Sequence, residues 1–172
     1  MISLIPRYIF NFFFFVLLQV LILNKMEFSG YLNPYLYVVF ILTLPFETPG
    51  WLLLTLAAIL GLSVDLFSNT PGMHMAATLI LAYIRPFILE RFAPRDGYEP
   101  GTLPLPSYYG FGWFLKYAVV LVLIHHMFYF VIESFSVENF MRILVKTLGS
   151  TIFTLIMMGV TMLFTYRKKR RI

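Results

Sequence analysis

In 172 residues the chain carries 60% hydrophobic and only 12% charged side chains. Soluble domains run at about 45–50% apolar and about 25% charged, so this balance belongs to a membrane protein and excludes a disordered chain. The absence of cysteine excludes disulfides, thiol chemistry and Cys-ligated metals. Net charge is +5, and residues 167–171, RKKRR, carry five positive charges. No basic face exists elsewhere, so this run reads as a membrane-surface anchor, and nucleic acid is not expected as a partner.

Residues 4–23 are apolar apart from Arg7, Asn11 and Gln19. At about 1.5 Å per residue they cross a hydrocarbon core of roughly 30 Å. The run is too long for the core of a signal peptide, and its exit, NKMEF at residues 24–28, lacks a small-residue cleavage pattern. It is expected to stay attached as the first span. Residues 31–46 follow as a short, tilted second span, with Asn33 as cap and Pro34 in the first turn. Pro45, Pro49 and Gly50 bracket a turn containing Glu47, and Trp51 opens the third span, 50–67, at interface depth. The fourth span, 72–92, is expected to be interrupted at Pro86, with Arg85 snorkelling outward. A Pro/Gly-rich loop with interfacial aromatics covers residues 93–113. The fifth span is 114–135 and the sixth 140–166, the latter supported at its start by Glu138 and Arg142, four apart; the basic tail, 167–172, comes after it.

The fold class is therefore all-α: one integral membrane domain, a bundle of six transmembrane helices with both termini on one side. Cations decide which side. With the N-terminus inside, ten face the cytoplasm (Arg7, Arg85, Arg91, Arg95, Lys116 and the five of the tail), and Lys25, Arg142 and Lys146 face outward. Both termini are thus expected in the cytoplasm, the 93–113 loop with them, and the corner between spans three and four outside.

That corner concentrates the polar residues. Asp65 lies near the end of the third span and His74 in the first turn of the fourth, within reach of a short hydrogen bond. An acid in a span usually has a partner. The plain reading is a terminal carboxylate near headgroup water, and the functional one is helix locking or partner recognition. His125 and His126 fall near the middle of the fifth span. Adjacent helical residues diverge by about 100°, so the two cannot share one metal or one proton path. They read as an intramembrane polar network, bonded to neighbours such as Thr147, Thr151 or Thr154, with a transport relay or a partner-facing role as the alternatives; Glu133 shares the face of His126. Ala57 with Gly61, and Gly72 with Ala76, mark small-residue faces on either side of the corner. Helices in lipid pack through such faces, which suit a hairpin within the chain or a helix from another chain. The phenylalanines at 12–15 read as lipid-facing bulk. No GxGxxG, Walker loop, Ser/His/Asp set or HExxH is present, so no catalytic residue, cofactor or metal is expected.

Residues 61–74, GLSVDLFSNTPGMH, leading into Ala76 and Ala77 and ending in Ala82 and Tyr83, resemble the signature hairpin of the bacterial rod-shape-determining MreD family. So does GYLNPYLY at residues 30–37, with its apolar helix and Pro45. Length, six spans and a short basic tail agree with that family. The resemblance implies a non-enzymatic scaffold of the cell-elongation machinery in the bacterial cytoplasmic membrane. It implies as partners a single-span MreC-like protein, the actin-like MreB filament and the polymerase and transpeptidase that build lateral-wall peptidoglycan; a homodimer is a further option. The fold it implies is similar to six-helix substrate-binding subunits of vitamin transporters. The alternative function is accordingly a small-molecule transporter subunit, with a polar pocket between helices drawn from Asp65, His74, Glu133 and His126. The topology predicts that a reporter fused after Ile172 is active only in the cytoplasm, and activity of an external reporter there would overturn it.

Overall fold

The structure, a computed structural model, describes residues 5–26, 32–135 and 140–165. The Glu138–Arg142 pairing and the basic tail lie outside the described residues. Helices α1 (Ile5–Leu21), α3 (Gly50–Ser68), α4 (Met73–Arg91), α6 (Phe111–Ser134) and α7 (Phe140–Thr165) build the bundle, and a short α5 (Pro106–Tyr109) lies before α6. Five segments are long and apolar enough to cross a membrane: Pro6–Lys25, Gly50–Ser68, Met73–Arg91, Phe111–Ser134 and Phe140–Met162. Neighbours pack in the order α1, α3, α4, α6, α7.

The expected second span is different. Residues 33–35 are irregular, a 3-10 turn occupies Leu36–Val38, and α2 is the four-residue helix Val39–Leu42. Such a helix rises only about 6 Å, far short of a bilayer core. It is nevertheless the most deeply buried stretch of the chain: Leu36 to Leu42 are 0–3% exposed. The segment runs along the bundle's axis. Tyr35 packs on His74 and Tyr129 near the corner, whereas the Leu44 carbonyl meets Arg85, three turns further along α4. A tilted span would face lipid on one side, but this segment is enclosed by its own chain.

Irregular backbone in apolar surroundings needs partners for its N–H and C=O groups. Gln19 of α1 supplies them at the start. Its Nε2 donates to the Pro34 carbonyl at 2.9 Å, and its Oε1 accepts from Leu36 N at 2.9 Å and Tyr37 N at 3.4 Å. On the opposite side, α7 offers Ser150 Oγ to Asn33 N at 3.1 Å and Thr154 Oγ1 to Tyr35 N at 3.0 Å. Asn33 therefore does not cap the short helix; the cap is Gln19, reaching in from a neighbouring helix. On the α7 side Gly149 leaves room for the Leu32 side chain, which a Cβ there would push aside.

The far end is tied by Arg85, which is 1% exposed. Its Nη2 donates to the carbonyl of Leu44, its Nε donates to Tyr117 Oη at 3.0 Å, and that phenol donates to the Leu42 carbonyl at 3.0 Å. A guanidinium thus meets the negative end of a short helix. The expectation of an outward, snorkelling Arg85 is overturned, because the buried carbonyls at the end of α2 draw it inward. Nor does Pro86 interrupt α4, which continues to Arg91 with the proline ring exposed.

Beyond this end, the 93–110 loop folds over the bundle on an aromatic cluster, and α6 begins at Phe111, earlier than expected. Phe46 stacks on Tyr98 at 4.1 Å, and Tyr109 packs against Trp113 at 5.1 Å. Tyr98 Oη donates to the Leu89 carbonyl at 2.6 Å, and Trp113 Nε1 to the Phe92 carbonyl at 2.9 Å. Burial pushes the Tyr98 phenol up to about 12, so it remains a neutral donor at physiological pH. Phe13 and Phe14 are exposed on α1, whereas Phe12 and Phe15 pack against the core. Replacing Arg85 with Met is expected to strand buried carbonyls and to lower stability by about 2–3 kcal/mol. Thermal unfolding in mild detergent measures this, and an unchanged midpoint would show that the contact holds nothing together.

Candidate functional site: the polar corner and its cleft

The corner begins with the end of α3. Asn69 adopts a left-handed conformation (φ 53°) and Gly72 another (φ 82°), which turns the chain back sharply through Thr70 and Pro71. A Cβ at Gly72 would meet nothing within 4 Å. Gly72 is therefore needed for its backbone angle and is not a close-packing contact, as the small-residue pattern had suggested. Gly61 is the contact: a Cβ there would lie 2.5 Å from Met75 Cα and 2.7 Å from Met75 N. The α3 face bearing Gly61 is thus filled by the backbone of α4. Ala57 on that helix is fully buried, whereas Ala76 is half-buried.

This close approach puts Asp65 over the first turn of α4. Oδ1 accepts from His74 N at 3.0 Å and Oδ2 from Met75 N at 3.0 Å. The carboxylate, 4% exposed, caps the helix from the preceding one, meeting two of its free N–H groups and the positive end of its dipole. Oδ1 also takes the Thr70 hydroxyl at 2.9 Å and lies 2.9 Å from His74 Nδ1. A carboxylate only accepts, so Nδ1 carries a proton. Nε2 is buried with no partner among the described residues. Sequence spacing pointed to the Asp65–His74 side-chain bond but not to the backbone cap, which depends on how closely Gly61 lets the helices approach.

His125 and His126 diverge into separate chains of bonds. His126 Nδ1 donates to the Val122 carbonyl at 2.8 Å, and its Nε2 lies 3.1 Å from Thr154 Oγ1, the hydroxyl that receives Tyr35 N. His125 Nε2 lies 2.8 Å from Tyr37 Oη, which lies 3.2 Å from Thr78 Oγ1; Thr78 in turn donates to the His74 carbonyl at 2.6 Å. The assignment that satisfies all three has His125 donating to Tyr37 and Tyr37 to Thr78. Of the three threonines expected beside the histidines, Thr154 is the one bonded to them. Glu133 does not join the network; its Oε2 pairs with Lys146 Nζ at 2.8 Å. Among the described residues no group of three or more His, Asp or Glu side chains is placed to hold a metal.

Sequence reasoning missed Gln19, Ser150 and Tyr37. The signal was there: Gln19 is an amide in a largely apolar helix, and such a group needs a partner when buried.

A cleft of about 410 Å³ opens at the corner end, lined among others by Lys25, Asn33, Tyr35, His74, Tyr129 and Glu133. His74 and Glu133 of the expected polar pocket line it; Asp65 and His126 are bonded elsewhere. Compared with known protein families, curated proteins and solved structures, the chain matches none.

Replacing Asp65 with Ala is expected to cost about 2–3 kcal/mol, because buried N–H donors lose a charged acceptor. Asp65→Asn should cost less, since the amide keeps one acceptor. Equal melting temperatures for both variants and the parent chain in detergent would contradict the capping role.

Proposed function

We propose that the chain is a non-enzymatic scaffold of the MreD type, a six-crossing protein of the bacterial cytoplasmic membrane. It would bind a single-span MreC-like partner and, through it, serve the filament and enzymes that build the lateral wall. In this reading residues 31–46, largely buried where described, are the second crossing, both termini are cytoplasmic and the Asp65 corner faces outward. One observation carries the reading. The axis of the bundle is filled by the chain's own segment, and Gln19, Arg85, Ser150, His126 and Thr154 are committed to holding it or its neighbours. A filled axis is suited to presenting outer surfaces to partners, and poorly suited to passing a substrate between helices. The residues that carry the family resemblance also have structural tasks in the corner: Gly61 admits α4, Asp65 caps it, and Gly72 turns the chain.

A second reading, a ligand-holding membrane subunit, is favoured by the polar cleft at the corner end. Depleting the chain from its own bacterium separates the two. The scaffold reading expects rods to round up, and a single-span membrane protein to co-purify with the chain in mild detergent. Unchanged cell outline together with no co-purifying single-span protein would overturn it.

A further inference from the structure

We infer that the corner cleft is a binding site for a small zwitterion, a molecule bearing a primary ammonium and an acidic anion together. This goes beyond the scaffold reading and does not rest on it. The volume, about 410 Å³, lies within the range of small-molecule sites. Two opposite charges line it from different elements. Lys25, in the 3-10 turn after α1, is exposed and in no ion pair among the described residues. Glu133, on α6, gives Oε2 to Lys146 but keeps its side chain 33% exposed.

Their neighbours divide the same way. Tyr129 stands one turn before Glu133 on α6, so a phenol ring and a carboxylate share one face. Its ring centroid lies 4.7 Å from that of Tyr35 and 4.6 Å from that of His74. A carboxylate beside aromatic faces suits an ammonium, through charge and cation–π attraction. Lys25 and the Asn33 amide offer N–H donors to an anion. His74 also lines the cleft, at 2% exposure, with its Nδ1 turned to Asp65. A free carboxylate and a phosphate would both serve as the anion, so an amino-acid or peptide terminus and an aminophosphate headgroup share this chemistry.

The test uses the full chain in lipid nanodiscs and isothermal titration with four probes: alanyl-alanine, its N-acetyl derivative, its C-terminal amide, and phosphoethanolamine. The expected result is saturable binding of alanyl-alanine or phosphoethanolamine, weakened about tenfold or more when either charge is blocked. Preference between the two unblocked probes tells a peptide source from a headgroup source. Lys25→Gln, an exposed change that leaves the melting temperature in place, should weaken the unblocked probe but not the amide. Glu133→Gln should weaken the unblocked probe but not the N-acetyl derivative. Equal affinity for blocked and unblocked probes, indifference to Lys25→Gln, or no saturable binding of any probe would overturn the proposal. Loss of this site would leave cell rounding and partner co-purification untouched, so its failure is distinguishable from failure of the scaffold reading.

Discussion

A backbone that leaves regular helix inside apolar surroundings must find a partner for each stranded N–H and C=O, and this bundle is arranged around that demand. Residues 33–45 break the rule that a membrane segment satisfies itself, and neighbouring helices make good the difference. Gln19 and the α7 hydroxyls of Ser150 and Thr154 hold one end; Arg85 and Tyr117 hold the other. Several polar residues in otherwise apolar helices are thereby explained: Gln19, Arg85, Tyr117, Ser150 and Thr154 face a stretch of chain that cannot bond to itself.

The corner applies the same solution to a regular helix. The first turn of α4 begins with unbonded N–H groups, and Asp65 receives two of them from across the hairpin. Charge signs follow the dipoles at both sites, with an anion at the start of α4 and a cation at the end of α2. Buried ionic groups of this kind fix geometry more than they add net stability. What they fix is the register of α3 on α4 and the depth of the central segment, and those in turn place Tyr35, His74 and Tyr129 on one wall of the cleft.

Composition and apolar run length were enough to read an all-helical chain with long membrane-crossing candidates, because a helix in lipid is specified by local hydrophobicity alone. Residues 31–46 misled for the same reason. A mostly apolar run of sixteen residues looks alike whether it meets lipid or protein, and hydropathy carries no sign of which. Asp65 and His74 could be paired from spacing across a tight turn, but the backbone cap could not, since it depends on the distance between two helix axes. Gly72 and Gly61 show the limit of small-residue patterns. One glycine provides a positive φ and the other a close approach, and the sequence writes both with the same letter. Arg85 was read outward because a charge near a helix end usually snorkels; the carbonyls that bury it belong to an element whose placement was not legible.

The seat of the central segment is assembled from both extremes of the chain. Gln19 emerges early in synthesis, whereas Gly149, Ser150 and Thr154 belong to the final helix. Residues 33–35 therefore wait for more than a hundred later residues before their N–H groups meet the hydroxyls that receive them. Such a stretch is too irregular to rest in hydrocarbon unaided until those partners are in place. Closure over the central segment thus depends on α7, whose hydroxyls complete its bonding.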